Sequence, residues 1–509
     1  MVQSARVHSA AVVGVDAHPV EIEIDLGGGL PQTVIVGLPD KAIRESRDRV
    51  RAATLASGLD FPGAGRLTIN LAPAALKKVG AVYDLPIALG LLAATGQVPR
   101  AALARIALVG ELALDGRLRP VRGVLAIAEL AARSGWHTLV VPRDNGPEAA
   151  LVAGLEVAAC RDLAEVVRVV GGELAASVVR PTPRAETGDH HGPDFADVLG
   201  QAQGKLAMQL AAAGGHHVLL SGPPGVGKSM LASRLPSLLD PLDERSALEV
   251  TRIHSIAGLL TQGALVTRPP FRAPHHTISE AGLVGGGHPL RPGEASLAHH
   301  GVLFLDEAPE LPRRLLDCLR QPLERGEIEV VRVCERVVYP SRFQLVIAMN
   351  PCPCGWHHAD PDRCRCPPPE VERYQRRISG ALADRIEIQV ELGPVDPARL
   401  AAMRDDAATS ASLRAGVARA RAIQRERYGP GVTNASATDD VLRAACRLSS
   451  AAQRTLETAA HRGKVSARGY FRVVRLARTV ADLAGEGEIT ADHVLQALVL
   501  RQRLTADAA

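Results

Sequence analysis

The chain has no apolar run approaching the roughly 20 residues that span a bilayer, so no membrane anchor is expected. Its first residues carry Arg6, His8, Asp16 and His18 without a clean apolar stretch, which argues against a secretory leader. Charge of one sign is missing too. With 59 basic residues against 55 acidic ones, net charge is +4, and any nucleic-acid surface must be a local patch. Aromatic residues make up only 3%, and no aromatic–apolar loop of the kind that grips polypeptide stands out. There is no internal repeat and no long low-complexity segment. Cysteines are few, eight in 509 residues, and half of them fall between Cys352 and Cys366. A cytoplasmic protein is expected, and in that reducing compartment such clustering suggests metal binding more than disulfides.

What is present describes ordinary globular protein: 46% apolar and 22% charged. The length is too great for one core and predicts two to four domains. The first part runs to about Gly172. Ala11–Val15, Val20–Ile24 and Thr33–Val36 alternate like half-buried strands. A basic helix from Pro39 to about Ala56, a strand Arg66–Asn70, helices 84–95 and 124–134, and a strand Thr138–Val141 complete a mixed α/β unit. Residues 173–192 lose periodicity and gain Pro, Gly and charge, as a linker does. From Pro193 to about Pro394 the continuous apolar strands Val218–Ser221, 301–305 and 344–348 belong in a parallel sheet covered on both faces. From Val395 onward the chain reads as helices only, the last capped by Thr490. The fold class is therefore multidomain α/β with an all-α C-terminal part.

Strand 218–221 leads into Gly222-Pro223-Pro224-Gly225-Val226-Gly227-Lys228-Ser229, and a helix is expected over 230–235. Glycines let backbone N–H groups turn inward around phosphate oxygens, and the following helix N-terminus adds a positive dipole end. Lys228 is placed to reach the β- and γ-phosphates of ATP, and Ser229 to ligate Mg²⁺. Asp306 and Glu307 end an apolar strand. Asp306 would hold Mg²⁺ through water and Glu307 would polarise the attacking water. Asn350 ends the next apolar strand, where its amide could orient that water; a simple turn Asn before Pro351 is the alternative. The γ-phosphate also needs a cation. Arg385 and Arg468 are candidates, although spacing alone does not separate them from surface arginines.

Three long segments carry a family resemblance: Phe271–Ser279 (FRAPHHTIS), Gly285–Glu307 (GGGHPLRPGEASLAHHGVLFLDE) and Met349–Gly355 (MNPCPCG). The chain resembles the magnesium-chelatase-like AAA+ ATPases, specifically the ComM/YifB branch, over nearly its whole length. That resemblance implies an N-terminal domain (1–172) similar to the Lon protease C-terminal domain, of the ribosomal S5 domain 2-like fold. It further implies an AAA+ core (193–394) with a helix-2 insert and a pre-sensor-1 hairpin, and a helical lid (395–509). The MCM helicases and the magnesium chelatase ATPase subunit belong to the same group. Members form hexameric rings, and ComM proteins are implicated in natural transformation as branch-migration helicases. The match makes Arg385 the expected arginine finger and Arg468 the expected second sensor.

The insertions are visible in the sequence itself. Residues 280–293 are glycine-rich, which suits a mobile loop, and 327–339 reads as a hairpin. In a ring both would face the channel. Arg332, Arg336, Arg272 and Arg291 could then track the phosphate backbone of single-stranded or branched DNA, or could serve structural ion pairs to Glu329 and Glu335. Aligned on the Lon motifs, Val82 stands where the nucleophilic serine would be and Ile127 where its lysine would be, so no peptidase activity is expected. Cys352, Cys354, Cys364 and Cys366 could supply four thiolates for a structural Zn²⁺, with His357 and His358 as spare ligands. The one-residue gaps are tighter than usual, and four reduced thiols in a proline-rich loop are the alternative.

Three functions compete: a homo-hexameric DNA motor working beside recombination proteins, a chelatase ATPase subunit, and a protein remodeller. Chelatase subunits generally lack the Lon-like domain, which weighs against the second. The missing aromatic loop weighs against the third.

Overall fold

The computed structural model describes residues 3–63, 65–175, 179, 192–260, 263–332, 335–357, 360, 362–395, 408–462 and 467–501. Most of the expected linker thus lies outside the described residues.

The N-terminal sheet has seven strands in the order Gln32–Val36, Arg66–Ala72, Asp16–Gly27, Gln3–Val13, Ile106–Leu108, Thr138–Pro142 and Glu156–Cys160. Its spine is the antiparallel pair running from Gln3↔Leu26 to Val13↔Asp16. Val7, Ile22 and Ile24 are fully buried while Glu21, Glu23 and Asp25 are not, a period-two pattern, and helix Val124–Arg133 covers the opposite face further along the sheet. Helix Asp84–Ala94 covers the face of Val7, Ile22 and Ile24 and is itself buried along its whole length; it is apolar after Asp84, whose buried carboxylate pairs with Arg49 at 2.7 Å.

Two expectations are corrected here. Gly14 and Val15 do not continue the first strand. Gly14, at φ +64°, starts the turn that reverses the chain into Asp16. Val15 is apolar because it is buried against the second sheet's core rather than its own. The helix expected from Pro39 to Ala56 is broken at Glu45 into Lys41–Arg44 and Ser46–Ala56. The Asp40 side chain caps the first piece by accepting from Ile43 N at 2.9 Å, and Ser46 Oγ bonds back to Ile43 O at 2.6 Å.

The second sheet is entirely parallel, in the order Phe271–Arg272, Val302–Leu305, Gln344–Met349, Val218–Ser221, Ile388–Glu391. Every residue of its three middle strands is buried. Val218 and Leu220 face one core, shared with Leu476, while Leu219 faces another, shared with Leu316 and Tyr339. Two cores on opposite faces account for the unbroken apolar strands.

Helices Ser410–Tyr428, Asp439–Ala445, Ser450–His461, Ala467–Ala484 and Ala491–Val499 form the C-terminal part. Helix 410–428 packs on Ala202–Gly214, which lies over the second sheet. A buried polar knot ties them together. Asp482 accepts from Arg427, from Arg478 Nε at 3.0 Å and from Asn434 Nδ2 at 2.8 Å. The Asn434 amide also reaches Thr479 Oγ1, which meets His216 at 2.7 Å. Among the described residues no helix is long and apolar enough to cross a membrane.

The N-terminal part is docked on the parallel-sheet part. Glu148, almost fully buried, accepts from Leu125 N at 2.8 Å and from Ser255 Oγ of helix Glu244–Ala257. Arg252, one turn earlier on that helix, reaches Glu129 at 3.2 Å and Asp16 at 3.5 Å.

Candidate functional site

The three middle strands end at one edge of the parallel sheet, where such folds place ligands. Strand 218–221 turns into the loop 222–227, and helix Lys228–Arg234 begins immediately after it. Gly225 and Gly227 have φ of +81° and +93°, a backbone region that favours glycine and directs successive N–H groups into one concavity.

Lys228 folds into this loop. Its Nζ donates to Gly222 O at 2.6 Å, Pro223 O at 2.9 Å and Asn350 Oδ1 at 3.0 Å. Burial pushes the ammonium pKa down, opposed by the nearby charges of Asp306 and Glu307. Ser229 Oγ donates to Asp306 Oδ2 at 2.6 Å, so two oxygen groups from neighbouring elements meet at the loop's mouth. That donor chemistry fits a hard divalent cation. Glu307 stands at φ +47°, a conformation that costs a non-glycine residue about 1 kcal/mol or more, as residues at functional sites often do. Its carboxylate is half exposed and lies 3.8 Å from His276 Nδ1. The expected phosphate-loop, strand-end and Asn350 residues are thus brought together.

Arg385 lies apart from them. Its guanidinium pairs with Glu324 and with the carbonyl of Ala381, and its Nε is buried without a partner among the described residues. Arg468 falls in the first turn of helix 467–484, and its side chain lies outside the described residues, as does His358.

The expected hairpin is present as Glu327–Arg332 paired antiparallel with Glu335–Pro340. Arg336 is exposed and paired with Glu329, and Val331 beside the tip is 64% exposed. The 280–293 segment is more ordered in its bonding than a free loop. Residues 280–284 form a short helix, and Gly286 and Arg291 exchange two backbone hydrogen bonds of 3.0 Å. This turn touches the hairpin: Arg332 Nη2 and Val330 Cγ2 come within 3.5 and 3.6 Å of where side chains at Gly286 and Gly285 would begin. Arg272 lies on the edge strand instead, held by Glu294 through bonds of 2.6 and 2.8 Å.

The four thiols of Cys352, Cys354, Cys364 and Cys366 converge, all within 4.8 Å of one another. The one-residue gaps therefore do not keep them apart.

Sequence reading missed two neighbours of the site. Gln201, a non-glycine residue at φ +52°, donates to Val226 O at 3.1 Å and to Gly393 O at 2.8 Å, tying the phosphate loop to the end of the last strand. His276 faces Glu307; its paired histidines were a visible signal, but nothing in the spacing aimed them at an acid 31 residues later.

Three family models match separate stretches of the chain. A family model described as magnesium chelatase, subunit ChlI matches residues 194–400. Another, subunit ChlI of Mg-chelatase, matches 22–145, and a third, the ChlI C-terminal model, matches 407–501. The chain is similar to competence protein ComM of Haemophilus influenzae, 41% identical over 501 residues, covering 98% of this chain and 97% of that protein. It is similar to the uncharacterized YifB of Escherichia coli, 42% identical over 496 residues, covering 97% and 96%. The magnesium-chelatase 38 kDa subunit of Rhodobacter capsulatus is 29% identical over 174 residues, covering 31% of this chain and 50% of that subunit.

Proposed function

The chain belongs to the magnesium-chelatase-like family that includes YifB and ComM, and from that premise we propose that it is an ATP-hydrolysing ring motor that acts on DNA. The observation that carries the ATPase reading is the convergence of Lys228, Ser229, Asp306, Glu307 and Asn350 at one sheet edge. In this reading the backbone N–H groups of 225–229 bind the phosphates. Lys228 exchanges its loop carbonyls for β- and γ-phosphate oxygens. Ser229 and Asp306 would hold Mg²⁺, which neutralises phosphate charge when bound. Glu307 accepts a proton from the attacking water, with Asn350 orienting that water. Arg385, whose bonds lie outside its own phosphate site, serves the site of a neighbouring subunit, and six subunits close the ring. Arg468 acts as the second sensor from the helical part.

DNA is preferred over a tetrapyrrole-metal partner because the likeness to ComM spans nearly both chains while the likeness to the chelatase subunit spans about a third of this one. The adjacent hairpin and glycine turn, with Arg332, Arg336 and Arg291, are the proposed phosphate-tracking surface. Arg272 is committed to Glu294 and adds little to it. We read residues 1–172 as a Lon-like domain without peptidase chemistry. Val82 and Ile127 sit against one apolar cluster, which supports that reading. The cytoplasmic location and the homologous-recombination setting are part of the same proposal.

The test is ATP turnover with and without single-stranded and branched DNA. Turnover should rise several-fold with DNA at low salt, and the gain should shrink steeply as salt rises, as counterion release requires. Replacing Arg332 and Arg336 together by alanine should remove most of the stimulation. An absence of both stimulation and DNA binding at low salt would sink the DNA reading.

A further inference from the structure

We propose that Cys352, Cys354, Cys364 and Cys366 form a tetrathiolate zinc site whose occupancy sets the ATP turnover of the neighbouring phosphate loop. The second half of this statement rests on the ATPase reading above; the first does not.

The metal assignment begins with distance. Zinc bound by four thiolates at about 2.3 Å in a tetrahedron places its sulfurs about 3.8 Å apart. Here Cys352 and Cys354 Sγ are 3.3 Å apart, Cys352 and Cys364 Sγ 3.9 Å, and Cys354 and Cys364 Sγ 3.7 Å. The Cys366 Sγ lies within 4.8 Å of each of the others. These separations are far beyond a covalent S–S bond of about 2.05 Å. Four soft ligands in one tetrahedral cluster select zinc among common divalent ions. Cys352 is fully buried, and the backbone N–H of His357 donates to its Sγ at 3.4 Å, the kind of bond that stabilises a metal-bound thiolate. The Arg363 guanidinium lies over the Trp356 ring at 4.0 Å, closing the loop between the two cysteine pairs.

The other grouping of metal-type side chains among the described residues, Glu249 with His299 and His300, is a hydrogen-bonded cluster instead. His299 Nδ1 accepts from Arg342 N at 3.0 Å, so its proton is on Nε2, the atom that faces Glu249 at 3.3 Å. That nitrogen donates a hydrogen bond and has no lone pair for a metal.

The coupling follows from what the cysteine loop touches. It leaves the sheet directly after Asn350, whose Oδ1 accepts from Lys228. Pro351 O accepts from Gln375 Nε2 at 2.9 Å. Gly355, at φ +85°, lies so close to the phosphate loop that a Cβ there would stand 2.7 Å from Pro224 Cδ. The loop therefore braces both Asn350 and Pro224. A metal that fixes the loop fixes the strand-end amide against the lysine, and the cysteines act as positioning residues.

The experiment uses the full chain, with metal content by mass spectrometry, ATP turnover, and binding of a fluorescent ATP analogue. Wild type and Lys228→Ala should each carry about one zinc per chain. Cys364→Ser and Cys366→Ser should lose the zinc, and kcat should fall roughly tenfold with much smaller change in nucleotide affinity, the size typical of lost support around a metal site. Gly355→Ala, which leaves all four thiols, should keep the zinc and still lower kcat. Wild type without zinc, with iron in its place, or with paired disulfides overturns the site. Zinc-free Cys364→Ser that folds and turns over ATP like wild type overturns the coupling, as does an unaffected Gly355→Ala. Zinc-loaded wild type with no ATP turnover at all overturns the ATPase reading and the coupling with it, while the metal site stands.

Discussion

Lys228→Ala is expected to lower ATP turnover on the order of a hundred- to a thousand-fold, the range for removing one preorganised donor from developing transition-state charge. Lys228 is 9% exposed and its three acceptors are two loop carbonyls and Asn350 Oδ1. Alanine removes the cation and separates Asn350 from the loop in one step. The neighbouring substitution Glu307→Gln isolates the chemical step. The carboxylate is half exposed and bonds no loop group, so nucleotide affinity should hold while turnover fails. Phosphate release at saturating ATP, beside titration with a fluorescent analogue, checks both. Turnover by Lys228→Ala within tenfold of wild type would remove this lysine from the mechanism.

Asp482→Ala should destabilise the C-terminal helices by about 3–5 kcal/mol, the penalty of leaving buried cations without their anion. Asp482 and Arg478 have fully buried side chains, and Arg427 is mostly buried beside them. Without the carboxylate two guanidinium groups share an interior with no counter-charge. At about 2–4 °C per kcal/mol, circular dichroism should record a melting transition lower by on the order of 10 °C. Asp482→Asn, which keeps the shape, should recover only a part. An unchanged melting curve for the alanine variant would mean that the knot contributes nothing net. The same helix 467–484 carries Arg468 in its first turn, so turnover should fall together with stability.

The parallel sheet was legible in the sequence because burial on both faces leaves no polar alternation to interpret. The phosphate loop was legible because its glycines, lysine and serine lie within eight consecutive positions. What escaped depends on contacts between distant segments. Lys228 and Asn350 were each assigned, but their direct bond joins residues 122 apart. Gln201 belongs to no motif, and its amide reaches Val226 O and Gly393 O across 25 and 192 positions. Val15 looked like strand because the core that buries it belongs to another part of the chain. The break at Glu45 turns on caps that periodicity does not register, Asp40 to Ile43 and Ser46 back to Ile43.

The turn at Gly14 has a mechanical meaning. A side-chain carbon there would stand 2.6 Å from Val337 Cγ1, on the returning strand of the arginine hairpin. The turn after the first strand of the N-terminal sheet thus abuts the middle of the hairpin, where Val15 is buried in one cluster with Val330 and Val337. Val337 packs directly on the Gly14 backbone, and no side chain fits between them. Position 14 is therefore reserved for glycine: the added methyl of Gly14→Ala would collide with Val337 and wedge the hairpin away from the N-terminal sheet.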